Sequence, residues 1–72
     1  MYIFKTKVGT FSIVYRAGYW RAMFQDEDLG SYATPQQAAD DLAGGHTFDP
    51  SEGYDTSELG IPEDIGEWER LR

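Results

Sequence analysis

Residues 10–25 read TFSIVYRAGYWRAMFQ, and this stretch decides the fold class. Phe11, Ile13 and Tyr15 alternate with Ser12, Val14 and Arg16, which is the period of a half-buried strand. Trp20, Ala22 and Phe24 then alternate with Tyr19, Arg21 and Met23, and Ala17-Gly18 between the two runs is a two-residue hairpin signal. Upstream, Tyr2, Phe4 and Thr6 alternate with Ile3, Lys5 and Lys7, and Gly9-Thr10 reads as a turn. Downstream, Gln25 to Asp28 is a polar turn and Leu29 to Tyr32 a short fourth strand.

A helix over residues 34–44 follows. Thr34 suits the N-cap, Pro35 the first helical position, and Gln37 completes a Thr-x-x-Gln capping box. Gly44-Gly45 supplies the stop. Ala38, Ala39, Leu42 and Ala43 make one small apolar face, which lets the helix approach a sheet whose aromatics fill the space. Asp40 and Asp41 lie toward the negative end of the helix dipole, a placement that calls for a cationic neighbour or an external role.

Residues 46–72 form an acidic tail. Asp55 to Gly60 reads as one capped helical turn. Pro62 to Leu71 reads as a second helix, with Ile61, Ile65, Trp68 and Leu71 or Arg72 at helical spacing. Phe48, Tyr54, Leu59, Ile61, Ile65 and Trp68 are too many apolar side chains for a solvated tail, so it docks on the domain. The expected architecture is α+β: one domain over residues 1–72, with a small antiparallel sheet of three or four strands in 1–33. One helix packs on that sheet, and the C-terminal tail is partly helical.

The 72 residues include eleven aromatics and no cysteine. Packing must therefore supply the stability, roughly 3–5 kcal/mol for a core of this size. No run is long and apolar enough to cross a membrane, and no signal-peptide arrangement of charges is present. The expected location is the cytoplasm. Charge is divided along the chain. Residues 1–25 hold Lys5, Lys7, Arg16 and Arg21 with no carboxylate, whereas the other 47 residues hold all thirteen carboxylates, for a net −7 overall. Folding the acidic half against the basic half is the simplest account of this division. The alternative is two partners of opposite sign.

Residues 15–42 carry a further pattern. Gly18-Tyr19-Trp20-Arg21-Ala22-Met23-Phe24, then Leu29-Gly30-Ser31-Tyr32-Ala33-Thr34 and Ala38-Ala39, resemble the Apetala-type DNA-binding domain of plant transcription factors. The arm-binding domains of tyrosine integrases share its three-stranded sheet with one packed helix. The resemblance implies a sheet laid into the DNA major groove, with Arg16, Trp20 and Arg21 inheriting the reading role and Lys5 and Lys7 on the additional strand. A weaker similarity, to Hic-type antitoxins, implies an acidic protein occupying a basic partner. The Asp26-Glu27-Asp28 turn and the net charge oppose nucleic-acid binding, because both repel a phosphate backbone.

Other constellations point to less. His46, with Asp49, Ser51 and Asp55 nearby in sequence, matches no hydrolytic or metal motif. Asp26-Glu27-Asp28 lacks the ligand order of a calcium loop. The sequence therefore reads as a non-enzymatic, acidic protein-interaction module, monomeric or homodimeric, with no cofactor, no metal, no membrane and an unidentified protein partner. Two surfaces are candidates for contact. One is Lys5, Lys7, Tyr15, Arg16, Tyr19 and Arg21. The other is the Ile61, Ile65, Trp68 stripe, offered to a partner groove.

Overall fold

The computed structural model describes residues 1–71. The strands are β1 (Tyr2–Thr6), β2 (Gly9–Arg16), β3 (Tyr19–Phe24), β4 (Glu27–Tyr32) and β5 (Glu69–Arg70), and the helix is α1 (Pro35–Gly44). They form one five-stranded antiparallel sheet in the order β4-β3-β2-β1-β5, with α1 packed on one face. Single 3₁₀ turns at Thr56–Glu58 and Ile65–Glu67 complete the chain.

Register follows the alternation in the sequence. Phe11 pairs with Phe24, Ile13 with Ala22 and Tyr15 with Trp20. Pairing Phe4 with Phe11 and Tyr2 with Ile13 puts the aromatic positions of β1 on the same face. Beneath α1 the sheet presents small residues, because Ala22 is opposite both Ile13 and Gly30. Ala38, Ala39 and Leu42 are fully buried against them. Larger rings flank this central row: Phe11 lies 4.7 Å from Phe24 and Phe4 lies 5.8 Å from Trp68. Small side chains at the crossing and large ones beside it let the two layers interdigitate.

The helix begins where its punctuation indicated. The Thr34 side chain accepts a hydrogen bond from Gln37 N, and Gly45 closes the end in the left-handed conformation. The Gln37 side chain accepts from Ala33 N, one residue before the cap.

Three expectations about turns and elements are corrected. The β1–β2 turn is Lys7-Val8, held by the Thr6 hydroxyl, which accepts from Val8 N and donates to Gly9 O. Gly9 belongs to β2, at φ 149°, where a Cβ would stand 2.9 Å from the Phe24 ring. Its lack of a side chain admits that ring. The β3–β4 turn is shorter than the acidic run, so Glu27 and Asp28 already belong to β4.

The third correction is the Pro62–Leu71 helix, which does not form. Asp64 accepts from Gly66 N and starts only one 3₁₀ turn, after which Trp68 is extended at ψ 151°. Glu69 and Arg70 then pair with Ile3 and Tyr2. Pairing satisfies backbone groups that β1 would otherwise leave open at the sheet edge, and Gly66 weakens the competing helix by about 1 kcal/mol. A fifth strand thus stands where a helix was expected. Ile61 and Trp68 are buried in the chain's own core and Ile65 packs against it, so this stripe is not presented to a partner. Arg72, the alternative last position of the stripe, lies outside the described residues.

Candidate functional site

The face of the sheet opposite α1 carries the other set of alternating side chains. Ile3, Ser12, Val14 and Met23 form its centre, and Lys5, Arg16, Tyr19 and Arg21 lie around them. Ser12 and Met23 are buried although no helix packs on this face. Long amphipathic side chains close over such a centre with their stems while their charged ends stay in water. Arg21 donates from Nη1 to Asp28 Oδ2 at 3.2 Å. Asp28 also accepts from Gly30 N, so its carboxylate is held within β4.

The tail does not cover this face. Trp68 lies beside Phe4 and Ile61 joins the cluster under α1, both on the helix side. Gln36, at the start of α1, clamps the tail from both sides. Its Nε2 donates to Glu63 O at 2.6 Å and its Oε1 accepts from Ile65 N at 3.1 Å. No pattern along the chain signals that clamp, because residues 27 and 29 positions apart meet only in the fold.

The candidate contact set is therefore divided. Lys5, Arg16, Tyr19 and Arg21 share the open face, with Tyr19 54% exposed. Lys7 lies in the β1–β2 turn. Tyr15 is on the helix side, 63% exposed, with its ring 5.3 Å from Trp20 in an edge-on contact. Trp20 in turn lies 6.0 Å from Tyr2, whose other neighbour is the Arg70 guanidinium, 5.7 Å from the ring centroid. Continuing the strand past Arg16 makes Tyr15 and Arg16 diverge, since successive side chains point to opposite faces.

The helix-side layer has the opposite sign. Residues 33–68 hold nine carboxylates and no lysine or arginine. Asp40, Glu58, Glu63, Asp64 and Glu67 are exposed there. Among the described residues the ion pair is Arg21–Asp28, which lies wholly within the sheet. The separation of sign is partial: Asp28 and Glu69, opposite Met23 and Ile3, share the open face with Lys5, Arg16 and Arg21, and Arg70 lies over Tyr2 on the helix side.

Asp41 finds a tyrosine, not a cation. Burial first, and then the neighbouring Asp41 carboxylate, push the Tyr32 phenol up to about 12. This pair lines an open depression of about 410 Å³ with Ser31, Gln37 and Asp40. A second depression of about 400 Å³ lies between the β3–β4 turn and Ser51-Glu52.

The remaining polar candidates disperse. Ser51 donates to Glu27, and the Ser57 hydroxyl and backbone N–H hold the Asp55 carboxylate below its usual range. Asp26 is exposed in the turn, while Glu27 and Asp28 are engaged with different partners. Ser51 is thus engaged by Glu27 and Asp55 by Ser57, and the Asp26-Glu27-Asp28 run divides between Ser51 and Arg21. Among the described residues no helix is long and apolar enough to cross a membrane.

Comparison with protein-family models, with curated proteins and with solved structures finds no match.

Proposed function

We propose that this protein is a small interaction module whose acidic, helix-side layer binds a basic protein partner. One observation carries this reading: residues 33–68 hold nine carboxylates without a single lysine or arginine, and none of them is directly paired with a cation of the sheet among the described residues. Those charges are fixed on a layer clamped to the core by Gln36 and Trp68. Net charge and local charge have the same sign on this side, so long-range steering and contact complementarity reinforce each other.

The test is affinity capture by the full chain, compared with a variant in which Glu58, Glu63 and Glu67 become lysine. A basic protein retained by the wild type through nuclease treatment, and lost by the folded variant, is the expected result. Equal retention by both chains rejects the reading.

A second reading is nucleic-acid binding by the open face. It is favoured by the tail's docking on the helix side, which leaves Lys5, Arg16 and Arg21 uncovered. It requires affinity for an oligonucleotide that falls steeply with salt and is weakened by Arg16→Gln.

A further inference from the structure

We infer that the aromatic end of the helix-side sheet face is a docking site for a proline-rich segment that carries arginine or lysine at one end. Each of β1 to β4 places one ring there: Tyr2, Tyr15, Trp20 and Tyr32. Trp20 pairs with Tyr15 on one side and Tyr32 on the other, one row beyond the Ala22 row that α1 covers. Its ring lies 5.3 Å from Tyr15 and 6.0 Å from Tyr2. Tyr15 is 63% exposed, and Tyr2, Trp20 and Tyr32 are half-buried. The rings therefore rest on the core from one side and share a surface on the other. The indole N–H of the buried Trp68 is spent on Pro62 O. The Trp20 indole and the Tyr15 hydroxyl have no such protein partner among the described residues, so their donors are free for a ligand.

Charge at the two ends of the rings selects the occupant. At the β5 end the Arg70 guanidinium lies 5.7 Å from the Tyr2 centroid. At the β4 end Tyr32 lines the open depression of about 410 Å³ together with Asp40 and Asp41. A cationic side chain is thus accepted beyond Tyr32 and repelled beyond Tyr2. From β1 to β4 is three strand spacings, about 14 Å. A polyproline II helix covers that span in about five residues. Such a helix has no internal hydrogen bonds, so its carbonyls can accept from the free indole and phenol while its rings lie on the aromatics. It is extended before it binds, and little ordering opposes docking on so small a surface. A β-strand ligand needs an open sheet edge, which these ring faces do not offer. A nucleic acid also stacks on aromatic rings, but its phosphates would meet Asp40 and Asp41. The inference rests on the reading of the helix side as the contact layer for a basic protein, and it names the segment of that protein.

The test is titration of the isotope-labelled full chain with a blocked oligoproline ending in arginine, long enough to span the rings. Binding is read at the two indole N–H resonances. That of Trp20 is expected to shift and saturate while that of Trp68 stays in place. Replacing the arginine by glutamate, or alternate prolines by glycine, weakens binding by about tenfold. Tyr15→Ala, at an exposed position, weakens it by a similar factor and leaves the circular dichroism and thermal midpoint close to those of the wild type. Asp40→Asn/Asp41→Asn removes the preference for arginine over glutamate but keeps the binding that the prolines supply.

A Trp20 resonance that stays unmoved at millimolar peptide overturns the inference. Equal binding of the glycine-interrupted or the glutamate peptide does the same, as does undiminished binding by Tyr15→Ala. A single-stranded oligonucleotide that moves the Trp20 resonance where the peptide does not assigns the rings to base stacking instead. Failure here is separable from failure of the acidic-layer reading. A basic partner lost by the variant with lysine at Glu58, Glu63 and Glu67, but held equally by wild type and Tyr15→Ala, keeps that reading and overturns only the proline-rich segment.

Discussion

Ala17 adopts φ 54° in the β2–β3 turn, beside Gly18 at φ 87°. Two positive values in succession give the hairpin turn whose twist matches its strands, but a Cβ at the first position is strained by about 1–2 kcal/mol. Ala17→Gly or Ala17→Asn is therefore expected to raise stability by about 0.5–1 kcal/mol, read as a higher thermal midpoint. Gly30 has the reverse requirement. Its φ is 149°, and the Tyr32 ring lies 3.3 Å from where a Cβ would stand. That ring carries a strongly shifted phenol. With the folded value near 12 and the unfolded value at 10.0, the contribution of Tyr32 is fully present below pH 10 and is lost as pH rises toward 12. Tyrosinate absorbance is expected to show the Tyr32 ring titrating late, and Asp41→Asn to move it earlier. A ring unmoved by that substitution refutes the assignment to Asp41.

At the scale of elements, α1 is specified locally and the last strand is not. Thr34, Pro35, Gln37 and Gly45 each act on backbone groups within a few residues, so their effect was legible in the sequence. The segment after Pro62 depends on groups far away. Gln36 holds its start, Phe4 receives Trp68, and β1 supplies the partner for Glu69 and Arg70. Gln36→Ala removes two hydrogen bonds to the tail and is expected to cost about 1–2 kcal/mol in chemical denaturation. Trp68→Ala removes a ring that is 5% exposed and costs about 3–5 kcal/mol, comparable with the stability of so small a domain. The milder Trp68→Phe keeps the fold measurable. It also removes the indole donor to Pro62 O, so it should still be destabilised relative to the wild type. A loss below about 0.5 kcal/mol for both Gln36→Ala and Trp68→Phe contradicts a tail that belongs to the core.

For the whole molecule, the tail is a structural part of the domain. Removing residues 47–72 takes away Ile61 and Trp68 and uncovers Phe4 and the end of α1. The truncated chain is expected to lose its cooperative thermal transition, so binding tests need the full chain. The fold class, the two-faced strands from Tyr2 to Phe24 and the limits of α1 were all determined by the sequence itself. Alternation, capping and glycine stops act between near neighbours, and no distant group competes strongly with them. The division of charge was also plain in the sequence, but its meaning was not. Only the tertiary structure decided that Lys5, Arg16 and Arg21 face away from α1 and share their face with Asp28 and Glu69, while Arg70 lies over Tyr2 on the helix side. That outcome depends on where the apolar side chains of the tail are buried: Ile61 and Trp68 join the helix side, where the aromatic core lies, and carry the carboxylates with them. The same burial turned a helical periodicity at Ile61, Ile65 and Trp68 into a 3₁₀ turn and a strand. An open sheet edge and a ring pocket at Phe4 outweighed a short helix interrupted by glycine.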